Sequence, residues 1–235
     1  MNFLFDVDGT LTESRKTIDE GFKRFFAEWV NVQRGQGNKT FLVTGSDRDK
    51  TVEQIGVSLW RHVDGVYQNA GNVYYEHGKL RFQKLWKPSD ELRSSITTLV
   101  EESSWYGTAD GNIEERIGML NISTVGRSCN SILRKEYYLW DLGKGERADI
   151  VHKLSKQFPD LDFVIGGEIS IDIFPKGNDK SQVLDQMVGE TIFIGDRCEK
   201  GGNDYTIAQE SDLYYNVRDW KETHAILTTL LPESN

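Results

Sequence analysis

Asp6 and Asp8 close a short apolar run, Phe3-Leu4-Phe5, and Gly9 and Thr10 follow them. Carboxylates are rarely buried without a partner, and nothing inside this segment neutralises the pair. A hard cation such as magnesium suits oxygen ligands. The chemistry this arrangement supports is an aspartate nucleophile, Asp6, beside a metal, with Asp8 as its acid/base. Two further apolar runs end in the same way. Thr40 to Val43 leads into Thr44, Gly45 and Ser46, and Thr191 to Gly195 ends at Asp196. Ligands of an open parallel sheet bind outside the carboxyl ends of its strands, so three such ends make a stronger signal than any one alone. An EF-hand calcium loop is excluded: its twelfth position, counted from Asp6, must be a glutamate and is Thr17.

The elements that must position these residues fall into three stretches. From the first strand to Gln68, strand and helix alternate: a helix from Ile18 to about Gln33, a strand at Thr40 to Val43, a helix at about Lys50 to Leu59 and a strand at Gly65 to Gln68. Alternation of this kind predicts a parallel sheet with crossover helices. The rhythm then changes. A hairpin turning at His77-Gly78 is expected, then a helix from Pro88-Ser89 to about Ser103, one long strand from Ile113 to Val125, a helix from about Glu146 to Phe158, and strands at Phe163 to Ile165 and Ser170 to Phe174. This reads as an antiparallel sheet with helices. Alternation resumes at Gly177, with a helix near Lys180, the Thr191 strand, a helix after Gly202, a strand at Leu213 to Val217 and a helix at Trp220 to Leu231. The fold class is α/β: a Rossmann-like core with a parallel sheet, residues 1–78 and 177–235, and an inserted α+β domain, residues 79–176.

The chain has 235 residues, 37% of them hydrophobic, enough for a real core. Its net charge of −9 argues against nucleic acid as a partner, since phosphate contacts need a basic surface. Cys129 and Cys198 show no metal-ligand spacing. There is no basic leader before an apolar run and no apolar run of membrane length. A cytoplasmic protein off the membrane is the expectation. Against the acidic background, Arg116 to Lys135 carries four basic residues, Arg116, Arg127, Arg134 and Lys135, and no acidic one. A charge run is usually a solvated face, but Arg116 and Arg127 lie in or beside strands, and arginine is suited to a bidentate grip on phosphate. Strand alternation puts Ser170 and Asp172 on one face and Ile169, Ile171 and Ile173 on the other.

DVDGT, TGS, Lys180 and GDRCEKGGND together resemble the four motifs of the haloacid dehalogenase (HAD) phosphotransferases. IGMLNISTVGRSC (Ile117 to Cys129) and GGEISIDIFPKGNDK (Gly166 to Lys180) are similar to runs that characterise the eukaryotic-type phosphomannomutases. The resemblance covers nearly the whole chain. It implies that Asp6 forms an aspartyl phosphate and that Asp8 protonates the leaving oxygen and deprotonates the accepting hydroxyl, with a pKa near the operating pH. It implies Mg2+ on Asp6, Asp196 and the backbone carbonyl of Asp8, with Asn203 and Asp204 positioning the metal or Lys180. Thr44, Gly45 and Ser46 would hold the transferring phosphate, with Lys180 adding charge. Arg116, Arg127 and Arg134 would hold a second, non-reacting phosphate. Ser170, Asp172, Asn121 and Arg15 would contact the hexose phosphate substrate.

The resemblance further implies a type C2 cap, a hexose 1,6-bisphosphate activator and a homodimer through the cap. The chain departs from the pattern in reading TGSD for GGSD, in Asn178 for a tryptophan, and in lacking the DPRT-like residues after GGND that help hold a second cation. Three activities stay open: a mutase interconverting mannose 6-phosphate and mannose 1-phosphate, a Mg-dependent sugar-phosphate phosphatase, and a non-catalytic sugar-phosphate sensor. A mutase must fix the distal phosphate and a phosphatase need not, so the arginines favour the mutase.

Overall fold

A computed structural model describes residues 1–231. The chain divides into two compact units, the first formed by residues 1–83, 179–200 and those from 204 onward, the second by 84–178 with 201–203. In chain order the first unit begins with β1 (Asn2–Phe5), α1 (Glu20–Gly35), β2 (Lys39–Val43), α2 (Arg48–His62), β3 (Gly65–Gln68), β4 (Val73–Glu76) and β5 (Lys79–Gln83). The second unit follows as α3 (Asp90–Glu101), β6 (Ile113–Arg116), β7 (Met119–Ile122), α4 (Ser131–Lys144), α5 (Glu146–Gln157), β8 (Leu161–Gly166) and β9 (Ser170–Pro175). The first unit is then completed by a 3-10 helix (Lys180–Gln186), β10 (Thr191–Gly195), α6 (Tyr205–Glu210), β11 (Leu213–Asn216) and α7 (Trp220–Thr229).

The first unit is built on a seven-stranded sheet in the order β11-β10-β1-β2-β3-β4-β5. The first five strands are parallel, and β4 and β5 add an antiparallel hairpin at one edge. β1 is buried on both faces, which is why it reads as an unbroken apolar run. Phe3 and Phe5 meet Phe26 and Trp29 of α1 edge to face, with ring centroids 4.9 and 5.1 Å apart for the Phe3–Trp29 and Phe5–Phe26 pairs. Leu4 points the other way, into a cluster with Phe41, Val43, Phe193 and Ile207. Each such side chain contributes about 1.5–3 kcal/mol on burial. α1 starts where the Asp19 side chain accepts from the amides of Gly21 and Phe22.

The second unit has a four-stranded antiparallel sheet, β6-β7-β9-β8. One face carries Leu120, Ile122, Phe163, Ile171 and Ile173, packed against Leu92 and Ile96 of α3 and Ile150 and Leu154 of α5. Ile169 joins a separate cluster with Trp105, Val125 and Tyr137. The opposite face carries the polar residues considered below.

Three expectations need correction. The long strand at Ile113 to Val125 is two strands, β6 and β7, with Arg116 facing Met119 across a two-residue turn. Gly118, at φ +77°, makes that turn, and the apolar residues on either side of it read through as one run. The hairpin at residues 73–83 pairs with β3 and extends the large sheet, so a boundary at 78/79 would cut it in half. Helix α4 was not expected. It is capped by Asn130, and its buried residues are Tyr137 and Asp141, while Ile132, Leu139 and Leu142 are exposed, so its apolar pattern traces no buried stripe. Among the described residues no helix is long and apolar enough to cross a membrane.

Candidate active site

Phe5 pairs with Leu42 on one side and Ile194 on the other. Asp6, Thr44 and Asp196 therefore leave the sheet together, just beyond the carboxyl ends of β1, β2 and β10. Asp6 is 3% exposed and Lys180 2%. The Lys180 ammonium donates to Asp6 Oδ1 at 2.5 Å and to Asp204 Oδ1 at 2.6 Å. Asp204 is fully buried at the start of α6, and its other oxygen accepts from the Arg197 amide at 3.3 Å. Gly9, at φ +88°, runs so close to Asp196 that a Cβ there would sit 2.2 Å from Oδ2. No other residue fits that approach.

Asp6, Asp196 and Asp204 each offer an oxygen within 4.8 Å of the others. Burial pushes the Asp6 carboxyl up to about 7; Asp204 and Asp8 add to the rise and Lys180 opposes it. Burial, with Asp6 and Asp204 as neighbours, pushes Asp196 up to about 8. Burial works against the charge on Lys180, but Asp204 and Asp6 outweigh it and hold the ammonium above its usual range. Lys180 alone thus leaves the cluster short of positive charge. A buried, all-oxygen set with excess negative charge fits a hard divalent cation.

Asp8 is held differently. Its carboxylate accepts from the Arg15 amide at 2.9 Å, Gln54 Nε2 at 2.9 Å, Lys50 Nζ at 3.1 Å and the Ser46 hydroxyl at 3.2 Å. Burial would raise its pKa, but Lys50, the Arg15 amide and Gln54 bring it down to about 2. Here Asp8 is a carboxylate, whereas a pKa near the operating pH was expected of it. Arg15 reaches Asp8 through its backbone, at φ +60°. Ser46 donates its amide to the Thr44 hydroxyl at 3.1 Å and accepts from Lys50 at 3.0 Å. Thr44 and Ser46 are buried and Gly45 half-buried. The Asn203 side-chain oxygen is buried without a hydrogen-bond partner.

In the second unit, Glu114 faces Asn121 across β6 and β7, and Asn121 faces Asp172 across β7 and β9. Asn121 Nδ2 donates to Asp172 Oδ1 at 2.5 Å. Glu114 takes a two-point grip from Arg116, at 3.2 and 2.9 Å, and its Oε2 lies 3.0 Å from Arg127 Nε. Arg134 lies 4.0 Å from Glu168 in the β8–β9 turn. Ser170 donates its hydroxyl to the Gly166 carbonyl at 3.0 Å.

Structure thus gathers Asp6, Asp8, Thr44, Ser46, Lys180, Asp196 and Asp204 in the first unit. It lines up Arg116, Asn121, Ser170 and Asp172 in the second, with Arg127 brought to Glu114. Sequence reasoning missed Lys50 and Gln54, one helical turn apart just after TGSD, where their (i, i+4) spacing was a usable sign. It also missed Glu114, two residues before Arg116 and so on the same strand face. The basic run without acids is basic along the chain only; in space Glu114 and Glu168 answer it.

Among solved structures the chain is similar to a HAD subclass IIB sugar phosphatase (TM-score 0.61, 15% identity, covering 98% of this chain and 99% of that one). It is also similar to the C-terminal domain of Candida albicans trehalose-6-phosphate phosphatase (TM-score 0.62, 14% identity, 98% and 91%). At such identities the likeness is one of fold alone: a parallel α/β core whose strands end in acidic residues, with a second, antiparallel unit. Residues 30–233 match the model of the eukaryotic phosphomannomutases. A phosphomannomutase of Saccharomyces cerevisiae is 35% identical over 242 residues, covering 97% of this chain and 92% of the yeast protein. The chain belongs to the eukaryotic phosphomannomutase family.

Proposed function

We propose that the chain interconverts mannose 6-phosphate and mannose 1-phosphate through an aspartyl phosphate on Asp6. The cycle starts with Asp6 phosphorylated from a hexose 1,6-bisphosphate. Asp8, a carboxylate in the arrangement described above, takes the proton from the free hydroxyl of the bound hexose phosphate. That oxygen attacks phosphorus, and the bond from phosphorus to Asp6 breaks. In the second half an Asp6 oxygen attacks the other phosphoryl group, and the departing sugar oxygen takes back the proton held by Asp8. The proton count closes on Asp8 alone. The first step needs Asp8 as a carboxylate, which Lys50, the Arg15 amide and Gln54 ensure, at the cost of making it a weak base.

Lys180 fixes the Asp6 carboxylate and places a positive charge beside the transferring group, and Thr44, Gly45 and Ser46 hold its oxygens. Magnesium, when bound by Asp6, Asp196 and the Asp8 carbonyl with Asp204 and Asn203 in support, offsets the repulsion between nucleophile and phosphate. In the second unit, acting as a cap, Arg116, Arg127 and Arg134 hold the phosphate that does not react. Ser170 and Asp172 contact the sugar, with Asn121 orienting Asp172, and Arg15 joins them in holding the substrate. Homodimerisation through the cap belongs to the same reading, and sedimentation at varied concentration tests it.

The arginines of the second unit, Arg116 and Arg127 gathered on Glu114 and Arg134 near Glu168, carry the mutase reading, because a phosphatase releasing a neutral sugar has no use for them. The test is the product of one turnover. Phosphorus NMR of mannose 6-phosphate with enzyme, Mg2+ and bisphosphate should show mannose 1-phosphate appearing without inorganic phosphate. Inorganic phosphate alone, with no isomer, would replace the mutase by a phosphatase.

A further inference from the structure

We propose that the buried Arg147–Asp141 pair is a positioning device for the β8–β9 hairpin, which carries Ser170 and Asp172. Arg147 is 4% exposed and Asp141 6%. Asp141, in the last turn of α4, accepts from the Arg147 backbone amide at 2.9 Å and from its Nε at 2.6 Å. The carboxylate thereby ties the first turn of α5 to the end of α4 and aims the guanidinium. Arg147 Nη1 then reaches three carbonyls of the hairpin turn: Gly166 at 3.4 Å, Gly167 at 3.2 Å and Ser170 at 3.5 Å.

A buried ion pair is weak evidence for stability, since two apolar side chains of like size often do as well. What apolar side chains cannot do is hold three carbonyls at once. The guanidinium presents five donors in a rigid plane, enough for one carboxylate and a set of carbonyls together, which a lysine cannot match. Ile169 anchors the same turn from the apolar side, in the cluster with Trp105, Val125 and Tyr137, and Arg147 holds its carbonyls. Gly166 and Ser170 are the last paired residues of β8 and β9, and Gly167 sits at φ +49°. Gly166 also packs against Asp172, where a Cβ would lie 2.8 Å from Oδ2. Displacing the Gly166 carbonyl would move the acceptor of the Ser170 hydroxyl and the wall beside the Asp172 carboxylate. The same turn carries Glu168, the partner of Arg134. One side chain that touches no substrate thus sets the place of several that are read as doing so.

The inference rests on the reading of Ser170 and Asp172 as substrate contacts, and its test separates the two. In Arg147→Lys, amide hydrogen exchange at residues 166–170 should rise at least tenfold over wild type. KM for mannose 1-phosphate should rise at least tenfold, and labelling of Asp6 by acetyl phosphate should stay within twofold. Asp141→Asn, which keeps the guanidinium but loosens its aim, should show the same pattern more weakly and serves if Arg147→Lys does not fold. Unchanged exchange at 166–170 in a folded variant would overturn the proposal. So would a loss of labelling as large as the rise in KM, which a merely destabilised protein would give. If wild type does not turn over mannose phosphates, the functional reading fails, and the exchange result still decides the positioning claim.

Discussion

Removal of divalent cations should make the protein lose stability as pH rises from about 4 to 8. Asp6 and Asp196 are pushed from 3.8 in the unfolded chain up to about 7 and about 8. A carboxyl with a raised pKa binds more protons folded than unfolded, so its contribution is complete below pH 4 and is withdrawn as pH climbs. At about 1.4 kcal/mol per pH unit, the rise corresponds to about 4 kcal/mol for Asp6 and about 6 kcal/mol for Asp196. Their repulsion is shared, so the joint loss is smaller than the sum, on the order of several kcal/mol. At ~2–4 °C per kcal/mol for a chain of this size, the melting temperature in EDTA should fall by on the order of 10 °C between pH 5 and pH 8. Asp8 adds nothing in that window: its contribution is complete above about pH 4 and is lost only toward pH 2. Calorimetry at four pH values, in EDTA and in excess Mg2+, measures the effect, and Mg2+ should remove most of the slope. Asp196→Asn should be more stable than wild type at pH 8 in EDTA. A flat metal-free profile, or a variant less stable than wild type there, would refute the account of the acidic cluster.

Lys50→Met takes one cation from Asp8 while leaving its burial. The Asp8 carboxyl should rise, and the acidic limb of the pH–rate profile for mannose 1-phosphate should move to higher pH; an unmoved limb would remove Lys50 from this role. Arg127→Ala removes one charged grip, about 1.5–3 kcal/mol for a hydrogen bond to a charged group, so KM for hexose phosphate should rise by about tenfold or more. The change for acetyl phosphate should be far smaller. Gly9→Ala should lose metal-dependent activity and stability together, since its Cβ would collide with Asp196; a fully active, stable variant would contradict the geometry.

The parallel half of the first unit was legible because its strands are buried on both faces and end in residues that packing does not want. Phe3 to Asp8 and Thr191 to Asp196 announce themselves in that way. What stayed hidden depends on contacts across the chain. Glu114 has no sign of its own along the chain, and the fold of β6 sets it between Arg116 and Arg127. Asn121 reads as a candidate ligand contact, and its bond to Asp172, 51 positions away, has no sign along the chain. The turn at Ile117-Gly118 was masked by the apolar residues flanking it, and α4 by its exposed Ile132 and Leu139. Asp8 was recognised as a residue, but its strong retention as a carboxylate came from Lys50 and Gln54 in another element.

The link between Lys180 and Asp6 spans 174 positions, and β1 needs β10 as well as β2 for neighbours. On the ribosome, residues 84–178 emerge as one unbroken stretch and can gather their own core before the last strands of the first unit exist. Until residues 191–195 arrive, β1 has an open edge, and a strand edge without a partner invites pairing with other chains. Asp6 is made first and set in place last, and newly made chains halted between residues 83 and 190 are where aggregation should concentrate.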